Sequence, residues 1–103
     1  MLLATVLLVW LDAINPPATT YHVYRAPGAC SDSSRFERVN AAPLAVRTYQ
    51  DTPTPGTWCY RVTALVAGVE SVPSAPVAIL VQPAAPTGLT ATPAPAASSA
   101  VTR

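Results

Sequence analysis

The stretch Thr57-Trp58-Cys59-Tyr60-Arg61-Val62-Thr63-Ala64 decides the fold. Successive side chains of a strand point to opposite faces, so Trp58, Tyr60, Val62 and Ala64 face one way and Cys59, Arg61 and Thr63 the other. Thr52-Pro53-Thr54-Pro55-Gly56 stops regular structure just ahead of it, and a turn around Ala67-Gly68 follows. Further strands are expected on either side. Thr20–Arg25 alternates Tyr21, Val23 and Arg25 against His22 and Tyr24, then closes at Ala26-Pro27-Gly28. Arg35–Val39 is a short, polar, edge-like piece ahead of Ala41-Ala42-Pro43. Val46–Asp51 is the next extended segment, and Ala75–Val81 is the last. A spacing of about ten residues with turn signals between is the rhythm of a sandwich or barrel. The prolines fall in the connections, where they delete no ladder hydrogen bond. Pro76 is the exception, and it marks the last strand as an edge or a late arrival in its ladder. No amphipathic helix of useful length fits between them, so the chain reads as all-β.

At the front, the apolar run Met1–Ala13 has two readings. Its β-branched and aromatic content (Thr5, Val6, Val9, Trp10) suits a buried strand stopped by Asn15-Pro16-Pro17. The other reading is a residual secretion signal, against which stand the absent positive n-region and Leu11 at the minus-three position of a cleavage after Ala13.

Composition sets outer bounds. The chain has 103 residues, half of them hydrophobic and 11% charged, with 12 prolines. That is one small domain with little to spare. Six arginines face five carboxylates for a net charge of +1, which argues against a nucleic-acid partner or an electrostatic membrane anchor. The longest apolar run falls short of the roughly 20 residues that span a bilayer.

Taken in order, Trp10, Tyr21-His22-Val23-Tyr24-Arg25, Tyr49-Gln50-Asp51, Pro55–Ala64 and Ser74-Ala75-Pro76-Val77 resemble a fibronectin type III module, most of all its bacterial variety. The resemblance covers about Ala4 to Val81. It implies an immunoglobulin-like β-sandwich of two antiparallel sheets, with strands lettered A to G in that family. Trp10 then lies on strand B, Tyr21 and Val23 on C, and Trp58, Tyr60 and Val62 on F, and these six form the expected core. Two departures stand out. Trp58 takes the place of the family's corner tyrosine, so that corner is tied differently or untied. Strand A is missing before Leu3, which makes residues 1–81 strands B to G.

Residues 82–103 resemble the opening of a following module. Pro86-Thr87-Gly88-Leu89-Thr90-Ala91 is similar to strand A, and Ser98-Ser99-Ala100-Val101-Thr102 parallels Leu3-Ala4-Thr5-Val6-Leu7. In the implied topology G ends at the pole opposite to where A begins, a strand of about eight residues spans roughly 26 Å, and Gln82–Ala85 reaches at most about 14 Å, so a return of this tail onto its own domain is not expected unless it enters reversed. The resemblance therefore implies a piece of a tandem, extracellular or cell-surface protein. Its partners would be neighbouring modules or other domains, with a protein or glycan ligand also in reach. The alternative is a filament subunit whose tail fills the next chain's exposed strand B edge, a self-associating surface.

In the implied sandwich, Cys30 after strand C and Cys59 near the start of F, on its outward face, lie at one pole. A disulfide between them is sterically reasonable, with two free thiols or a functional thiol as the alternatives. If bonded, an oxidising compartment follows.

No catalytic, cofactor-binding or metal-binding set is expected. Asp12, Asp32, Glu37 and Glu70 sit in separate connections or on an edge strand, and Asp51 reads as a local turn cap. His22 reads as part of a solvated face. Arg25, Arg35, Arg38 and Arg61 read either as a modest basic stripe or as exposed cross-strand partners of Glu37. The loops Ala26–Ser34 and Ala67–Pro73 are the expected recognition sites, since loops on a rigid scaffold carry binding. The expected role is a non-catalytic spacer or interaction module.

Overall fold

The computed structural model of the chain describes residues 5–94. The strands are β1 (Val6–Val9), β2 (Thr20–Pro27), β3 (Glu37–Arg38), β4 (Thr48–Asp51), β5 (Gly56–Val66), β6 (Val69–Glu70) and β7 (Val77–Val81), with no helix among the described residues. They form two antiparallel sheets. The smaller is β1 against β4; the larger runs β3-β2-β5, with β6 and β7 both on the far edge of β5. The expected all-β, two-sheet architecture is the observed one.

The alternation around Tyr60 sets the register. β2 pairs β5 from Thr20 opposite Leu65 to Pro27 opposite Trp58. This stacks Tyr21 on Ala64, Val23 on Val62 and Arg25 on Tyr60 along the inner face. The core is Val6, Val23, Tyr60 and Val81, with Leu8, Trp10, Tyr49, Trp58 and Val62 packed against it. Burying such a side chain stabilises the fold by about 1.5–3 kcal/mol. Tyr21 is buried as well, and its ring meets Trp10 edge-on at 5.5 Å.

Several boundaries differ from the sequence expectation, each for a local reason. The edge strand expected over Arg35–Val39 shrinks to Glu37–Arg38, because Asn40 takes over the bonding that a longer ladder would supply. Its Oδ1 accepts the Val23 N–H at 2.8 Å, and its Nδ2 donates to the carbonyls of Ala42 (2.8 Å) and Tyr21 (3.3 Å). β7 starts at Val77, one residue after Pro76, as a late-entering edge strand. β5 runs on to Val66 and turns through Ala67 (φ 50°) and Gly68 (φ 80°) into β6, which was not foreseen. Two successive positive φ values give a hairpin turn whose twist matches the strands it joins. Between β6 and β7, Ser71 and Ser74 stand in for ladder residues: their hydroxyls accept the N–H groups of Ala64 (2.9 Å) and Val62 (3.0 Å).

Residues 82–94 continue from β7 as an exposed segment without regular structure. The expected start of strand B at Leu3-Ala4 and the part-strand Ser98–Thr102 lie outside the described residues.

Candidate functional site

A polar cluster joins the two sheets at one end of the sandwich. Arg25 lies on the inner face of β2, and Asp51 ends β4 on the opposite sheet. The Arg25 Nη1 group donates to Asp51 Oδ2 at 2.7 Å, and the Tyr60 hydroxyl donates to the same oxygen at 2.6 Å. The Arg25 guanidinium also lies 4.7 Å from the centre of the Trp58 ring, within cation–π range. Burial works against the charge on Arg25, but the bond to Asp51 and its negative charge outweigh that and raise the Arg25 pKa. Burial, then the bond to Asp51, holds the Tyr60 phenol far above its ordinary value. Tyr60 is therefore a fixed donor rather than a base. The cluster fastens one sheet to the other, with each charged group already partnered.

This corrects two expectations. Asp51 does not cap a local turn; it bridges the sheets. Arg25 does not join an outer basic stripe, because it sits in phase with Tyr21 and Val23. The turn-capping role falls to Asp12. Its carboxylate accepts from the backbone of Ile14 (3.3 Å) and Asn15 (3.1 Å), from Asn15 Nδ2 (2.8 Å) and from the Tyr21 hydroxyl (2.9 Å). Those bonds, led by the Asn15 side chain, hold its pKa at about 2. The signal was an Asp three residues ahead of Asn-Pro-Pro, where a side-chain acceptor must replace backbone pairing.

The corner before β5 is tied by Trp58 itself, whose Nε1–H donates to the Thr54 carbonyl at 2.7 Å. Of the six expected core residues, Tyr21, Val23 and Tyr60 are buried, while Trp10, Trp58 and Val62 are half-buried at the margins.

On the outer face of the larger sheet, His22 is 7% exposed, against the expectation of a solvated histidine. Thr63 stands opposite it, Asn40 Nδ2 lies 3.3 Å from its Nδ1, and the Tyr24 ring is 6.5 Å away. Glu70 accepts from the hydroxyls of Thr63 (2.6 Å) and Tyr24, which lowers its pKa. Arg61 stacks 3.9 Å over Phe36. Glu37 makes no ion pair among the described residues.

Cys30 and Cys59 form a disulfide, with their Cα atoms 5.2 Å apart. Cys59 is on the outward side of β5, yet it is completely buried: the bridge and the Cys30 loop cover it. The Ala26–Ser34 loop is thereby pinned at its centre. It is further fixed by the Gly28 N–H to the Thr57 carbonyl (2.8 Å) and by a Ser31–Ser34 turn. The 67–73 loop ends in an exposed Val72.

A shallow groove of about 220 Å3 runs between the end of β1 and the connection before β7, lined by Trp10, Tyr21, Val62, Ala64, Val72 and Pro73. Trp10 Nε1 is buried there without a partner among the described residues.

No protein-family model matches the chain, and no curated protein is detectably similar to it.

Proposed function

We propose that the chain is a non-catalytic module of the fibronectin type III kind, working outside the cell as a spacer or interaction domain within a larger protein. The observation that carries this reading is a disulfide-stapled body from which an exposed, proline- and alanine-rich segment departs. Residues 82–94 include Pro83, Pro86 and Pro93, are exposed and join neither sheet, which suits a semi-rigid link rather than a docked strand of the same domain. The Cys30–Cys59 bond fits an oxidising compartment, as a small domain with a thin core gains most from such a bridge. The polar clusters support a structural role, because the Asp51 carboxylate is held by Arg25 and Tyr60 and the Glu70 carboxylate by Thr63.

The test is a distance measurement on dilute chain, with labels at Ser33 in the pinned loop and Thr92 in the tail. A long, narrow distance distribution is expected. A short or very broad one overturns the spacer role.

A further inference from the structure

Among the described residues, one side of the sandwich leaves core-facing side chains of β7 uncovered. By their pairing, Val77 and Ile79 of β7 lie on the same face as Tyr60 and Trp58, which is the core face. Both remain exposed, at 63% and 39%. The reason is width: the smaller sheet has two strands and stops short of β7. Among the described residues both of its borders are free of further strands, and β1 is the one beside Trp10 and the groove. The Trp10 N–H donates toward β4, to the Arg47 carbonyl at 3.1 Å. Backbone direction alternates along a strand, so the N–H and C=O groups of Leu7 and Val9 point away from β4. They have no partner among the described residues, and the Leu7 and Val9 side chains are 61% and 65% exposed. Beside that border the groove holds the unpartnered Trp10 indole N–H. An apolar strip, a free ladder edge and a buried orphan donor thus coincide on one side of the molecule.

We infer that this edge accepts residues 87–93 from a second copy of the chain, laid antiparallel to β1. In the register that fits, Thr90 pairs with Val9 and Thr92 with Leu7, and each pair exchanges both of its backbone bonds. Leu89 and Ala91 then alternate onto the core side, next to Trp10 and Leu8, above the exposed Val77 and Ile79. Pro93, which has no N–H, falls at a position facing away from β1, where none is needed. A carbonyl of residues 86–88 comes within reach of the Trp10 indole. Leu89 is the one large apolar side chain in the tail, and it is 94% exposed in the free chain. A tail returning to its own β1 would run the other way. Val81 packs with Val6 in the core, so the chain leaves β7 at the start of β1 and would pair parallel to it. Each copy then has one donor and one acceptor, and such a head-to-tail contact need not close on itself. The inference goes beyond the spacer reading and stands without it.

The experiment is light scattering on the full chain across a concentration series, beside two full-chain variants. Thr90→Pro deletes the tail's N–H at Val9, and Leu7→Lys puts a charge on the accepting edge. Neither site is in the core. The wild-type mass is expected to climb to twice the subunit mass and beyond, while both variants stay at one subunit. Amide exchange at Leu7 and Val9 of the Thr90→Pro chain should slow when a synthetic peptide of residues 83–94 is added. A wild-type chain that stays at one subunit mass throughout overturns the inference. So does assembly that persists in Thr90→Pro, or a peptide that leaves both amides unchanged.

Discussion

β2 and β5 stay in register from Thr20 and Leu65 to Pro27 and Trp58, and β5 carries β7 along its other edge from Gly56 to Tyr60. β1 and β4 run together only from Val6 and Asp51 to Val9 and Thr48. The larger sheet is also closed by the disulfide at one end and by the Thr63–Glu70–Tyr24 bonds at the other. The smaller sheet has a lighter fastening of its own, the Arg47 guanidinium donating to the Asp12 carbonyl at 2.9 Å, and a two-stranded ribbon is marginal by itself. It is held by what it shares with its neighbour: Val6 and Leu8 in the core, Asp51 between Arg25 and Tyr60, and Asp12 on Tyr21. One sheet holds itself, and the other is tethered.

The largest expected effect attacks the self-sufficient sheet. Replacing both Cys30 and Cys59 with serine opens a loop with a sequence separation of 29. The chain-entropy model puts the loss on the order of 3–4 kcal/mol, a large share of a small domain's stability. Urea unfolding should show a sharply lower midpoint for the double variant. A shift worth under about 1 kcal/mol would mean that the ladder of β2 and β5 needs no staple, since removing a native bridge typically costs 2 kcal/mol or more.

The next effect separates the sheets. Tyr60→Phe keeps the ring in the core and removes the donor to Asp51, which should cost about 1.5–3 kcal/mol for a bond to a charged group. Amide exchange should quicken in β1 and β4 more than in β2, because Asp51 is the smaller sheet's tether. Equal acceleration in both sheets would break the distinction. Trp58→Phe is the milder counterpart. It removes the indole bond to Thr54, a neutral bond worth about 1 kcal/mol, and loosens the corner between β4 and β5. Loop 52–55 should gain mobility in relaxation measurements while the sheets keep their exchange rates.

The larger sheet was legible because its signals are periodic. The alternation of Trp58, Tyr60 and Val62 against Cys59, Arg61 and Thr63 carries its own register, and Tyr21 and Val23 match it. The side-chain bonds were less legible, because they depend on which residues the fold brings together. Asp51 and Arg25 are 26 positions apart and meet only once the sheets stack. Asn40 and Ser71 do the work of ladder residues from within connections, where nothing in the local pattern distinguishes them from solvent-facing polar groups. His22 was misplaced for a related reason. Period-two alternation separates two faces, but it does not say that the outer one is roofed by Asn40, Tyr24 and Thr63.

The smallest effect is a pH dependence that again divides the molecule. Asp12 serves the tethered side, and its carboxyl is held at about 2 instead of 3.8 by the Asn15 and Tyr21 bonds. A depressed carboxyl binds its proton more readily once the chain unfolds. Its stabilisation is therefore complete above the ordinary value and drains away as the pH falls from about 4 toward 2. Glu70, on the larger sheet, is lowered in the same direction from 4.5 by Thr63 and Tyr24, so its contribution begins to fade at a somewhat higher pH. Asp12→Asn should flatten the acid slope in the lower window and leave the upper one in place; Glu70→Gln should do the reverse. Stability measured by urea unfolding at closely spaced pH values reads both. If Asp12→Asn leaves the slope between 4 and 2 untouched, the turn after β1 is not held by its carboxylate. The hold of the smaller sheet on β2 would then rest on packing and Asp51 alone.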